Sequence, residues 1–237
     1  WPYVVMGLIN NVIPFSLIFG GQSLGAGAGL AAVLNATTPL FAGIFAHLLT
    51  ADEKLNRHKI AGILVGLLGV VILIGPDALT GLGDLGLAQV MVVGGAVSYG
   101  LAGVWGRRFR RLPPLTSAAA QLTASTAMLL PAVLVVDRPW TLALPSAQTI
   151  VVLVALAVLS TALAYVIFFS IIRRAGATNV MLVTLLIPPS AILLGALFLG
   201  EVLGAGEIAG AVVIGLALLL IDGRVLRHLG RPGAVRP

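Results

Sequence analysis

The side chains of this chain that could bind a small molecule are uncharged polar groups set inside long apolar segments. Amides and hydroxyls can replace water around a neutral or zwitterionic solute, because they donate and accept hydrogen bonds without carrying a charge. The same residue types also bond neighbouring helices to each other, at about 0.6–2 kcal/mol each, so a structural role stays open for every candidate. The candidates for binding are Asn11, Asn35, Thr38, Tyr99, Ser160, Tyr165 and Thr184.

The spacing of two of these candidates predicts that they act together. Asn35 and Thr38 are three residues apart and share one face if their segment is helical. We expect at least one of Asn11, Asn35 and Thr184 to face a cavity near the middle of the membrane.

Motifs for enzymatic or metal chemistry are incomplete in this sequence. Cysteine is absent, and neither a His-Glu-x-x-His pattern nor a Ser/His/Asp set in register occurs. Residues 81–86 have the glycine spacing of a dinucleotide-binding loop, but no acidic residue follows until Asp137, whereas such a site needs one about 20 positions later. None of the acidic residues lies in the middle of an apolar segment. We therefore predict no catalytic residue, no metal ligand and no cofactor.

The composition of the 237-residue chain indicates an integral membrane protein. Apolar residues make up 59% of it and charged residues 9%, whereas about 25% of the residues of a soluble domain are charged. A helix needs about 20 apolar residues to cross the hydrocarbon, and continuous rather than alternating apolar runs favour helices over a barrel. The eight predicted spans are 3–22, 28–50, 60–76, 86–106, 116–136, 148–172, 178–199 and 206–222.

The basic residues are distributed unevenly among the loops between these spans. All fourteen except Arg138 fall after the second, fourth or sixth span or in the C-terminal tail. Because basic residues mark the cytoplasmic side, we expect these loops and the C-terminus in the cytoplasm, with the protein in the inner (plasma) membrane. The Arg-rich run 107–111 is then a topology anchor against membrane lipids rather than a nucleic-acid site, since no soluble module accompanies it.

The first part of the sequence resembles the part that begins 149 residues later, and a one-residue gap reduces this offset to 148. Each copy has a Gly-Ala pair, an apolar segment with proline, an acidic residue, and a short Gly-containing segment. By the charge count, Glu53 lies inside and Glu201 outside, so the copies cross the membrane in opposite directions. Such inverted repeats recur in secondary transporters, with the substrate site at the interface of the halves. The matched landmarks are Gly27 and Gly176, Pro39 and Pro188, and Glu53 and Glu201.

The repeat divides the chain into two units and a tail. Residues 1–76 hold the last three helices of the first unit, residues 86–222 hold all five helices of the second, and residues 223–237 are a basic cytoplasmic tail. We therefore expect two further helices upstream, so that eight of ten are visible. The fold class is all-α integral membrane, with an inverted repeat of five-helix units.

Two pairs of stretches carry a resemblance to a known family. They are NATTPLFAGIFAHLLTADEKL with KIAGILVGLLGVVILIG, and LIPPSAILLGALFLGEVL with EIAGAVVIGLALLLID. The chain resembles the EamA-type permeases of the drug/metabolite transporter superfamily over nearly its whole length. The resemblance implies ten helices in two inverted units, cytoplasmic termini, and transport of small metabolites, often export. The first copy departs from the pattern, because TADEK stands where LGE-type residues are usual.

The sequence as a whole favours a carrier that moves a small neutral or zwitterionic metabolite, amino acids included, by alternating access. In this interpretation Pro39 and Pro188 are hinges or kinks, Glu53 and Glu201 cap the helices that follow them, and glycines four apart allow close helix packing. The alternatives are an intramembrane lipid-processing enzyme and a channel or scramblase. The predicted partners are a small-molecule solute and membrane lipids, with no nucleic acid, and a homodimer stays open.

Overall fold

The computed structural model describes residues 1–79, 82, 86–141, 143–200 and 204–222, and every regular element in these ranges is helical. Within the ranges, seven helices are long and apolar enough to cross a membrane, and a shorter apolar helix follows them. In chain order they are α1 (Pro2–Ser23), α2 (Ala28–Leu49), α3 (Arg57–Ile74), α4 (Gly86–Phe109), α5 (Pro114–Asp137), α6 (Ala147–Ala175), α7 (Asn179–Phe198) and the shorter α8 (Ala205–Ile221).

The predicted all-helical membrane architecture is confirmed. Long apolar segments become helices because the backbone groups of a helix bond within their own segment and need no water. Each helix also lies where the sequence predicts a span. The count of eight spans, the inverted repeat and the division into units stay predictions, and residues 223–237 lie outside the described residues.

The helix ends show which side chains act as caps. The side chain of Asn56 accepts a hydrogen bond from the backbone N–H of Lys59 at 2.8 Å and so caps α3. The carboxylate of Glu207 accepts from the backbone N–H of Gly204 at 2.7 Å, just before α8. The prediction that Glu53 caps this helix is therefore wrong, because its N-cap is Asn56 and the Glu53 carboxylate lies against Gly176. Glu201 lies outside the described residues.

Helices α3 and α8 pack through small residues, as their glycine spacing predicts. A Cβ at Gly62 would lie 3.0 Å from the backbone oxygen of Ala217, and one at Gly210 would lie 2.5 Å from the backbone nitrogen of Leu73. Such distances leave no room for a larger residue, so the two backbones approach as closely as in other small-residue contacts between membrane helices.

Helix α4 contacts both α1 and α2 and joins the first predicted unit to the second. Its Gly100 lies against the backbone of α2, where a Cβ would be 2.8 Å from the nitrogen of Ala42. A buried cluster next to it joins α1, α4, α5 and α6. The members of this cluster are Met6, Ile9, Ala102, Phe109, Ala118 and Phe169.

Four helices are interrupted between their two ends. A π-helical turn at Leu8–Val12 interrupts α1, and another at Leu156–Leu163 interrupts α6. A shift of 149 positions carries the first turn to residues 157–161, inside the second. Helix α2 is broken at residues 36–37, and Pro39 is the second residue of the helical segment that follows; α7 is broken at Leu182. Pro188 lies inside the continuous stretch Val183–Leu194, so of the two predicted hinge prolines only Pro39 lies close to a break.

Candidate functional site

Two neighbouring cavities lie where α1, α2, α4, α6 and α7 meet. The larger has a volume of about 400 Å³ and the smaller about 180 Å³, and both are lined by Tyr99, Tyr165 and Phe168. We refer to the two together as the central cavity. Phe15, Ser160 and Thr161 complete the polar and aromatic lining of the larger part. Asn10, Asn35 and Thr184 supply the polar lining of the smaller part.

The structure brings five of the seven predicted binding residues to this cavity. The five are Asn35, Tyr99, Ser160, Tyr165 and Thr184. Asn11 and Thr38 do not line it, although the sequence predicted that they would. Thr38 is fully buried, and its hydroxyl donates to the main-chain oxygen of Asn35 at 2.7 Å. The hydroxyl also lies 3.5 Å from Asn35 Oδ1, so the two side chains meet as their spacing predicts, although only Asn35 lines the cavity.

Asn11 lies behind the cavity wall, in a buried polar network. Its Oδ1 accepts a hydrogen bond from Gln121 Nε2 at 2.6 Å and another from the Tyr165 hydroxyl at 3.1 Å. Gln121 is fully buried, and Asn11 is only 3% exposed. Asn11 therefore supports a cavity residue and does not line the cavity itself.

Asn10 lines the smaller part of the cavity, although its neighbour was the predicted residue. Its Nδ2 donates to Gln121 Oε1 at 3.5 Å. Two adjacent asparagines inside an apolar segment were the available signal. Periodicity could not decide between them, because the π-helical turn Leu8–Val12 changes which face each residue occupies.

The irregular turns free backbone carbonyls, and side chains bond to them. The Ser98 hydroxyl donates to the main-chain oxygen of Ile9 at 2.6 Å, within the turn of α1. The Thr184 hydroxyl donates to the main-chain oxygen of Met181 at 2.8 Å, at the break of α7. Irregular backbone at membrane depth is tolerated where it is buried or lines a cavity, and both breaks satisfy that condition.

The lining of the central cavity is uncharged throughout the part of the chain that the structure describes. Its polar groups are hydroxyls and carboxamides, and its remaining surface is aliphatic and aromatic. An ion with net charge would lose its hydration at such a wall without gaining a counter-charge.

A separate cluster of charges lies at the end of the bundle where α2 ends and α4 ends. Arg107 donates to both carboxylate oxygens of Asp52, and its Nε lies 3.7 Å from Glu53 Oε1. This hydrogen bond from Arg107 holds the pKa of the Asp52 carboxyl below its ordinary value. Arg110 adds a further attraction, with its Nη1 3.7 Å from Asp52 Oδ2. The cluster borders a third cavity of about 670 Å³.

The same cluster contacts the corner between α6 and α7. The Glu53 carboxylate lies directly against Gly176, which follows α6. Arg108 lies over the ring of Trp105, 3.5 Å from its centre, in a cation–π contact. Loop 50–56 of the first predicted unit is thus tied to two elements of the second. Among the described residues, no group of three or more His, Asp or Glu side chains could hold a metal ion.

Comparison with known sequences places this chain in a family. The sequence model of the EamA-like transporter family matches residues 1–75 and 86–222, which is most of the chain. The chain belongs to the EamA-like transporter family.

Relatives of this EamA-like chain include proteins named as transporters. It is 25% identical to the uncharacterized transporter YoaV of Bacillus subtilis, over 90% of this chain and 72% of that protein. It is 28% identical to the protein PecM of Dickeya dadantii, over 94% of this chain and 73% of the relative. It is 25% identical to the uncharacterized inner membrane transporter YedA of Escherichia coli strain K12, over 92% and 69% of the two chains.

A solved crystal structure shares the fold of this EamA-like chain. The two superpose with a TM-score of 0.76 over 96% of this chain and 76% of the other, at 19% sequence identity. At this identity the likeness shows the fold alone. Family and fold together identify a membrane protein of a transporter family.

Proposed function

We propose that this EamA-like protein is a carrier of the inner membrane. It binds a small neutral or zwitterionic organic solute, with amino acids among the candidates, and exports it by alternating access. The observation that carries the proposal is the central cavity, because uncharged polar groups and aromatic rings converge there from both predicted units. The transporter names of the relatives support transport over an enzymatic role.

The position of the cavity supports movement of one unit against the other. Asn10 and Asn35 come from the first predicted unit, whereas Tyr99, Tyr165 and Thr184 come from the second. In carriers with inverted repeats, the site lies between the two repeats and their relative rocking exposes it to each side in turn. The π-helical turns of α1 and α6 and the break in α2 before Pro39 supply points at which these helices can bend.

The distribution of charge supports the orientation. The Arg107 cluster lies at the end of α4, and the exposed Arg173 and Arg174 lie in the last turn of α6, at the helix ends that the positive-inside rule assigns to the cytoplasm. The C-terminus is then cytoplasmic as well. Contacts between Arg107 and Asp52, and between Glu53 and Gly176, join the two predicted units at this end. An alternating-access cycle requires them to loosen when the cavity opens towards the cytoplasm.

Transport by the purified protein in liposomes tests the proposal. Uptake and efflux of a panel of radiolabelled amino acids and other neutral metabolites are measured against concentration. Saturable flux supports a carrier, flux that rises linearly with concentration supports a channel, and chemical change of a lipid supports an enzyme. In the carrier case, Tyr165→Phe lowers the affinity for the transported solute, because it removes a hydroxyl from the cavity wall. Thr123→Met, on the exposed face of α5, is the matched control.

A further inference from the structure

The Tyr165 hydroxyl has one hydrogen, and two acceptor oxygens of the protein lie within its reach. It lies 3.1 Å from Asn11 Oδ1 and 3.4 Å from the main-chain oxygen of Asn10. A main-chain carbonyl accepts hydrogen bonds and never donates them. The hydrogen of the hydroxyl is therefore directed into the protein, and a lone pair remains for the cavity.

Gln121 determines that Asn11 presents an oxygen to this hydroxyl. Its Nε2 donates to Asn11 Oδ1 at 2.6 Å, and its own Oε1 accepts from Asn10 Nδ2 at 3.5 Å. The direction of donation along the chain is thus set by a carboxamide that is fully buried on α5. No described residue of α5 lines the central cavity. Gln121 can therefore act on a solute only through its partners, either through Asn10 directly or through Asn11 and Tyr165.

A second hydroxyl of the same wall has the same polarity. Thr184 lines the smaller part of the cavity, and its hydroxyl donates to the main-chain oxygen of Met181 at 2.8 Å. Two hydroxyls from α6 and α7 thus meet the cavity with lone pairs. A solute that offers only acceptors would leave both without a partner, and an unpartnered polar group in a buried site costs binding free energy.

We propose that Gln121 is a positioning residue that orients the Tyr165 hydroxyl as a hydrogen-bond acceptor, so that the carrier selects solutes with an N–H or O–H donor. The selection of solutes rests on the proposed carrier function, whereas the orientation of the Tyr165 hydroxyl does not. It assigns a role to a residue outside the cavity, and it narrows the substrate class from neutral or zwitterionic solutes to those that donate.

Vibrational spectroscopy tests the orientation of the hydroxyl without any solute. The chain has three tyrosines, so Tyr3→Phe with Tyr99→Phe leaves Tyr165 as the sole reporter. In ultraviolet resonance Raman spectra, the intensity ratio of the tyrosine Fermi doublet is low when the phenol donates and high when it accepts. We expect a low ratio in this background and a higher ratio after Gln121→Met, which keeps the side-chain volume but removes the amide.

Two further variants separate positioning from packing. Thr123→Met introduces the same side chain on the exposed face of α5 and should leave the ratio low. Gln121→Glu, protonated in its buried site, still has a hydrogen to donate to Asn11 and should also leave the ratio low. A high ratio before any change at Gln121, or a low ratio after Gln121→Met, would overturn the proposal. If Gln121→Met does not fold, the intensity ratios of the Tyr3→Phe, Tyr99→Phe background and of Gln121→Glu still decide whether the Tyr165 hydroxyl donates.

Transport measurements test the selectivity. L-leucine and its N,N,N-trimethyl betaine are both zwitterions, but only leucine has N–H donors. Leucine should compete about tenfold better than the betaine for uptake of a panel solute, and Gln121→Met should bring the ratio towards one. Equal competition before mutation would overturn the selectivity. If no panel solute is carried, the proposed carrier function fails, whereas the spectra still decide the orientation of Tyr165.

Discussion

The carboxylate of Glu53 lies against Gly176, so that a Cβ at Gly176 would be 2.5 Å from Glu53 Oε1. The two residues are far apart in sequence and belong to different predicted units. Gly176 also has a φ of +89°, in a region of backbone space that side chains other than glycine rarely adopt. The position therefore requires glycine for two reasons, one conformational and one steric.

Gly176→Ala should destabilise the protein by about 1–3 kcal/mol, the cost of holding a non-glycine residue in this backbone region. The added methyl also displaces the Glu53 carboxylate. The apparent melting temperature in detergent, followed by circular dichroism, measures the effect. Gly27→Ala is the matched control, because Gly27 is the sequence counterpart of Gly176 but has a φ of −58° and open space around its Cβ position. An equal fall in melting temperature for Gly176→Ala and Gly27→Ala would contradict this explanation.

The ion pair of Asp52 and Arg107 should make stability depend on pH at the acidic end. Arg107 lowers the pKa of Asp52 in the folded protein, so the pair contributes stability above the unfolded-state pKa of about 3.9 and loses it as the pH falls through the folded-state value. The melting temperature of Asp52→Asn should therefore lie below that of wild type at neutral pH, and the gap should narrow below about pH 4.

The double variant Asp52→Asn with Arg107→Gln checks that this gap belongs to the pair. Once Arg107 is replaced, Asp52→Asn should have a smaller effect, because its main partner is gone. A difference in melting temperature that keeps its full size in the Arg107→Gln background, or that stays constant from neutral to acidic pH, would show that the stability does not come from this ion pair.

The contact between α3 and α8 should tolerate one glycine substitution and not another on the same helix. Gly210→Ala places a methyl group 2.5 Å from the backbone of Leu73, and overpacking of this kind costs about 1–3 kcal/mol. Gly215→Ala meets nothing within 4 Å and should be neutral, or stabilising by up to about 1 kcal/mol, since alanine favours helix. Thermal unfolding of the two variants is measured side by side. A melting temperature of Gly210→Ala at or above that of Gly215→Ala would refute the contact.

The helices were predictable because their signal is local. Each apolar run is long enough to cross a membrane by itself, and the glycine spacing of Gly62 and Gly66 indicates close packing without reference to the partner helix. The uncharged polar residues inside these runs were likewise visible one by one. Five of the seven singled out line the central cavity, since a polar group within an apolar helix is best placed at a cavity or another helix.

The errors have a different origin, because they depend on interruptions of helical geometry. The side chains of Asn35 and Thr38 do meet, but the break between the two residues leaves Thr38 buried as a donor to Asn35, and only Asn35 lines the cavity. The π-helical turn at Leu8–Val12 similarly places Asn10 at the cavity and Asn11 behind it. The link from Gln121 to Tyr165 joins helices far apart in sequence, and periodicity carries no information about such a contact.

The orientation of the chain can be measured directly, because the protein has no cysteine. Arg111 and Leu144 are both exposed and lie in loops at opposite ends of α5. Single cysteines at these positions should react differently with a membrane-impermeant maleimide added to intact cells: Leu144→Cys should be labelled and Arg111→Cys should be protected until the cells are opened. Labelling of Arg111→Cys in intact cells, with protection of Leu144→Cys, would reverse the orientation and with it the side to which the Arg107 cluster belongs.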